Sequence, residues 1–132
     1  MKYLLDTNIC IHLFRGKFNL LNKLNSIGIN NCSISEITLA ELVFGAENSS
    51  NPGKNHKLIE TFTNQITVFP ISNAILKYGK EKARLRQSGN MISDFDLLIG
   101  CTAIVNESIM VTENITEFER ISDIKLENWI VR

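Results

Sequence analysis

A chain of 132 residues with 14 basic and 14 acidic side chains carries no net charge, so no global positive field draws it to nucleic acid and any phosphate contact must come from a local cluster. Its 44% hydrophobic and 21% charged content excludes a disordered tail or a coiled coil. These values predict one domain over residues 1–132 that buries ~65 to 70% of the surface of its unfolded chain.

Short β-like runs alternate with helical patterns, which predicts an α/β class with three α/β/α layers and a mainly parallel sheet of about five strands. The first strand, near 2–6, ends in Asp6, and a helix follows near 8–15. The carboxyl ends of strands in open α/β sheets are where ligands bind. Two roles for Asp6 are open at this point: a ligand-site acid, or a cap on the next helix. A helix near 18–27 leads to a second strand near 31–34.

The helix predicted near 36–48 carries Glu41 on one face with Ile37, Thr38, Phe44 and Gly45, an apolar setting that asks for a partner. Glu36 and Glu47 read as solvated. The polar stretch at 48–53 is the clearest break in the chain, and helix 54–64 and strand 66–69 follow it. Helix 73–88 places Lys77, Lys80 and Arg84 within an arc of ~60°, opposite Ile75, Leu76 and Ala83. That face suits either RNA phosphates or plain solvation.

After a second break at 88–90, the helix near 94–106 aligns Asp96 with Ile99, Gly100 and Ala103. Asp94 points about 160° away. Asp96 is therefore expected in a site, and Ser93 or Asp94 at the helix start. Strand 108–112 is followed by Thr112, Asn114 and Glu117, the last two able to share a face of a short helix near 115–121. Glu119 reads as solvated, and a final strand is predicted near 126–130.

Cys10, Cys32 and Cys101 lie far apart among apolar residues and read as buried thiols in a reducing cytoplasm. Cys10 and His12 lack the second pair that a zinc site needs. His12 and His56 read as structural or exposed. The segment before Asp6 is too short for a signal-peptide core, and no apolar run reaches the ~18 residues of a membrane span. Scattered glycines form no phosphate-binding loop.

Carboxylates set in apolar stretches are costly unless cations or hydrogen bonds compensate them. Oxygen-only clusters suit Mg²⁺ or Mn²⁺ and, commonly, phosphoryl chemistry. The fragments LLDTN with Arg15-Gly16, SEITLAELVFG, DFDLLIG, VTENITEFERI and LENW, in that order along the chain, resemble the PIN-domain ribonucleases, particularly VapC toxins of toxin-antitoxin pairs. The resemblance implies that Asp6, Glu41 and Asp96 are the catalytic, metal-binding acids, supported by Asn8, Ser35, Thr112 and Asn114. It also implies Mg²⁺ or Mn²⁺, a structured RNA substrate such as tRNA, an RNA contact at Arg15, a cognate antitoxin and a homodimer.

Two positions depart from the family pattern. Asn114 stands where many members have Asp, which leaves the fourth acidic position neutral or supplied by Glu117. Gly100 replaces a more usual Ala, at a cost to the helix of ~1 kcal/mol. The competing functions are an RNA-binding module without catalysis and an aspartyl phosphotransferase using Asp6. The latter fits less well, since Asn8 stands where such enzymes carry a second Asp.

Overall fold

The computed structural model describes all of residues 1–132. Five strands form one wholly parallel sheet: β1 (Tyr3–Leu5), β2 (Cys32–Ser35), β3 (Thr67–Phe69), β4 (Ile109–Val111) and β5 (Leu126–Glu127). Their order across the sheet is β3-β2-β1-β4-β5. The chain winds outward from β1 in one direction and then crosses to β4 on its other side. The reversal leaves a crevice at the carboxyl ends of β1 and β4, the usual ligand position in such sheets.

Parallel strands need crossover connections, and helices supply them on both faces. These are α1 (Thr7–Phe14), α2 (Leu20–Ile27), α3 (Glu36–Glu47), α4 (Pro52–Thr63), α5 (Ile75–Ser88), α6 (Asp94–Val105) and α7 (Ile115–Phe118). Alternation along β1 and β4 divides the core. Leu5 and Val111 pack with Ile9, Leu24, Leu42 and Phe62 of α1 to α4 on one face. Leu4 and Met110 pack with Leu85, Leu97, Ile99 and Phe118 of α5 to α7 on the other.

The predicted three-layer α/β/α architecture is therefore present, with differences at element ends. The predicted final strand contracts to two residues because Asn128 turns its own side-chain oxygen onto the Ile130 amide, 2.9 Å away, and removes the chain from the ladder. Helix 73–88 begins as a 3₁₀ turn at Ser72–Ala74, and a further 3₁₀ turn at Ile29–Asn31 leads into β2. The short helix predicted near 115–121 closes at Phe118.

All three cysteines are free and buried, as their apolar surroundings predict. No helix is long and apolar enough to cross a membrane.

Candidate active site

Asp6 leaves β1 in an extended conformation and becomes the N-cap of α1, the capping role open to it from sequence. Only 6% exposed, it has both oxygens engaged. Oδ1 accepts the Thr7 amide at 2.8 Å and Oδ2 accepts the Thr112 hydroxyl at 2.8 Å. Burial pushes its pKa up, the two hydrogen bonds hold it back, and the nearby Glu41 and Glu117 carboxylates push it up again. Thr112 is fully buried just beyond β4, and its oxygen in turn accepts the Asn114 amide at 3.0 Å.

Glu41 reaches the crevice from the middle of α3. The Thr7 hydroxyl donates to its Oε1 at 2.7 Å and also lies 3.0 Å from the Thr38 hydroxyl. A hydroxyl has one proton, so with Thr7 donating to Glu41 the second contact is a donation from Thr38. Thr38 itself is held under α3 by the Ser35 cap, whose oxygen accepts the Thr38 amide at 3.1 Å. Ser35 thus supports the site through the start of α3. The apolar stripe expected around Glu41 is a correction: Phe44 is 70% exposed, while Thr38, Leu42 and Ala46 form the buried face. Glu41 is half-buried on the border between them.

Asp96 stands in the first turn of α6, half-buried, with Ile99, Gly100 and Ala103 buried along its side of the helix. Its carboxyl is pushed up to about 6, first by burial and then by Asp6, with Glu117 and Glu41 adding to the effect and a Ser93 hydrogen bond opposing it. Asp94 behaves as the spacing predicts. It is exposed and accepts hydrogen bonds from Tyr78 and Lys82 of α5, both 2.8 Å long, which hold its carboxyl below the usual range. Ser93 takes the N-cap, accepting the Asp96 amide at 3.2 Å.

Glu117, on α7, adds to the upward push on the pKa of both Asp6 and Asp96. Asn114 does not replace its charge; its Nδ2 donates to Glu117 Oε2 at 2.7 Å and orients that carboxylate. Four acids are thus electrostatic neighbours: Asp6 after β1, Glu41 on α3, Asp96 on α6 and Glu117 on α7.

Their donor chemistry fits a hard divalent cation: oxygen ligands only, and mutual repulsion that a cation would relieve. No three His, Cys, Asp or Glu side chains close on a common point as they stand.

Other predicted positions divide. Asn8 and Arg15 lie exposed in and after α1. Lys80 is exposed on α5, whereas Lys77 and Arg84 each have an acidic partner. Lys77 pairs with Asp123 at 3.7 Å, and Arg84 grips Glu81 with two hydrogen bonds of 3.0 and 2.9 Å. Periodicity placed these cations on one face, and from it Lys77 and Arg84 reach Asp123 and the Arg120 carbonyl after α7. Ile75 and Leu76, opposite them by helical spacing, are 55% and 71% exposed.

Sequence reasoning gave Thr7 no role toward the acids and Thr38 only a place beside Glu41. The Thr7 amide and hydroxyl join Asp6 to Glu41, and the Thr38 hydroxyl supports Thr7. It also missed the partners of the histidines: His12 Nε2 lies 3.6 Å from Glu113 and His56 Nε2 3.5 Å from Glu47. Glu113 further accepts Arg132 at 2.7 Å, tying the carboxyl terminus beside the Thr112–Asn114 loop.

The chain is thus a parallel α/β/α domain with acidic side chains near its sheet reversal. The PIN domain family profile matches residues 3–124, and the chain belongs to that family. Among curated relatives, the tRNA(fMet)-specific endonuclease VapC of Shigella flexneri is 35% identical over 130 residues, covering 98% of each chain. Ribonuclease VapC of Haemophilus influenzae is 35% identical over 132 residues, covering 98% of this chain and 99% of the relative. The structure of DNA-bound VapBC from Salmonella typhimurium superposes with a TM-score of 0.90 at 33% identity, covering 98% of each chain.

Proposed function

We propose that this chain is a metal-dependent endoribonuclease toxin of the VapC kind, cutting structured RNA of the tRNA class and restrained by a cognate antitoxin. The single observation that carries the reading is the convergence of Asp6, Glu41, Asp96 and Glu117 on one crevice. Burial and the neighbouring carboxylates raise the proton affinity of Asp6 and Asp96, and a cation bound there would displace those protons. The relatives named for ribonuclease and tRNA endonuclease activity support RNA as the substrate, and the VapBC assemblies support an antitoxin.

Asp6, Glu41, Asp96 and Glu117 would hold Mg²⁺ or Mn²⁺. Bound there, the cation supplies an activated water and positive charge for the phosphate and leaving oxygen. The chain's residues do the positioning. Thr112 and the Thr7 amide fix both oxygens of Asp6, Thr7 orients Glu41, and Asn114 orients Glu117. Glu117 restores the acid that Asn114 lacks, which weakens the case for a module that binds RNA without cutting it.

Arg15 and Lys80 remain as exposed cations for RNA phosphates. Exposed Phe44 and Leu76, at 70% and 71%, supply apolar surface for a homodimer. The test is to sequence the RNA ends generated by purified protein in Mg²⁺ or Mn²⁺. Discrete new ends within folded RNA, lost in chelator, are expected. Unchanged RNA in both metals would overturn the proposal.

A further inference from the structure

The one buried carboxylate that the acid crevice does not use is Glu81, on α5. It is 4% exposed. Its Oε2 accepts Arg84 Nε at 3.0 Å, and its Oε1 accepts both Arg84 Nη2 at 2.9 Å and the Ser122 amide at 2.7 Å. Arg84 Nη2 then donates to the Arg120 carbonyl at 2.7 Å. Arginine hydrogen bonding, assisted by the Ser122 amide, holds the Glu81 carboxyl below its usual range despite burial. Glu81 and Arg84 thus form a two-pronged grip on the turn that closes α7: one prong takes an N–H, the other a C=O.

That turn matters because α7 cannot hold itself. With four residues it is far below the length at which a helix is stable alone, so its position is set by its anchors. At its front, Asn114 holds Glu117. At its last residue, fully buried Phe118 packs against α6. Just behind it, Ile121 lies so close to Gly100 that an added Cβ there would stand 2.5 Å from Ile121 Cδ1. Gly100 is one turn from Asp96 on the same side of α6. The face of α6 that presents Asp96 therefore receives α7, and the placement of α7 determines how Glu117 meets Asp96.

We infer that Glu81, through Arg84 and the Ser122 amide, is a positioning residue for the metal site: it clamps the rear of α7 and thereby fixes Glu117 opposite Asp96. The inference rests on the acid crevice being a metal site as proposed above, but the clamp itself has a metal-independent consequence. Without it, α7 loosens while α5 and α6 stay folded.

Two measurements on the full chain test this. First, Mn²⁺ binding is followed by calorimetry in wild type, Glu81→Gln, Glu117→Gln and the double variant. Glu81→Gln is expected to weaken Mn²⁺ at least threefold in the wild-type background and to have little effect once Glu117 is replaced. Equal losses in both backgrounds, or no loss, would overturn the inference. Second, amide hydrogen exchange is compared between wild type and Glu81→Gln without metal. Faster exchange confined to residues 113–122 supports the clamp, and unchanged exchange there overturns it. If the wild type binds no Mn²⁺, the metal-site reading fails, and the exchange result alone decides whether Glu81 positions α7. Should Glu81→Gln fail to fold, Arg84→Gln takes its place, since that guanidinium is 44% exposed and its loss leaves the Ser122 prong intact.

Discussion

Thr112 donates its hydroxyl proton to Asp6 Oδ2 across 2.8 Å, joining two residues 106 positions apart at the mouth of the sheet reversal. Both are buried, so the bond forms where water cannot replace it. Thr112→Val keeps the shape and removes the donor. The variant is expected to lose ~1 to 3 kcal/mol of stability, the cost of an unsatisfied buried acceptor. The Asp6 pKa, already raised by burial, rises further, moving the acidic limb of a cleavage pH profile to higher pH. Chemical denaturation and that profile check the two parts, and an unmoved profile would contradict this role for Thr112.

Asp96 gives a pH dependence whose sign follows from its raised folded value of about 6 against an ordinary 3.8. The favourable contribution of a carboxyl with a raised folded pKa is complete below pH ~3.8 and disappears as pH rises through about 6. In metal-free protein, Asp96→Asn should therefore be more stable than wild type above pH 6, with the advantage fading toward pH 4. Urea midpoints across that range measure it. A difference that does not vary with pH would refute the crowded-acid account of Asp96.

Much of this site was legible locally. Asp6 ends an apolar run, and the 100° step of a helix separates Asp96 from Asp94 without knowledge of the fold. Glu41 was placed correctly but for an incomplete reason, because periodicity cannot say that Phe44 faces solvent. The same limit hid the acidic partners of Lys77 and Arg84: a helical arc fixes which residues point together, not what meets them. Glu81 was hidden for a stronger reason. Between Lys80 and Lys82 it reads as one charge on a solvated helix, and only the fold brings Ser122 and Arg120 to it. The hydroxyls of Thr7 and Thr38 give no periodic signal, since their role depends on where α1 meets α3.

Gly100 shows how a tertiary neighbour can reverse a propensity. On an isolated helix Gly100→Ala would gain ~1 kcal/mol. Here the new methyl meets Ile121 Cδ1 at 2.5 Å and Ile124 Cδ1 at 3.3 Å, so a side chain must move. Gly100→Ala alone is expected to be neutral or destabilising. Combined with Ile121→Val, which removes the obstructing carbon, it should stabilise relative to Ile121→Val alone by up to ~1 kcal/mol. A thermodynamic cycle with no coupling between the two sites would contradict the close packing of α7 on α6.

Divalent metal should stabilise the fold, because the four carboxylates repel one another only where folding gathers them. At one hundred times its dissociation constant, one bound ion adds ~2.7 kcal/mol. Thermal unfolding in Mn²⁺, compared with chelator at matched ionic strength, measures the effect. A shift no larger than that of monovalent salt would count against a specific site.

The central claim, that the inward acids of the crevice and not their sequence neighbours cut RNA, is tested most directly by Mg²⁺-titrated cleavage with Asp96→Asn and Asp94→Asn side by side. Asp94 is exposed and tied to Tyr78 and Lys82, whereas Asp96 shares its field with Asp6, Glu41 and Glu117. The account predicts that Asp96→Asn folds but loses metal-dependent cleavage, and that Asp94→Asn cleaves like wild type. Full cleavage by Asp96→Asn, or its loss in a folded Asp94→Asn, would contradict it.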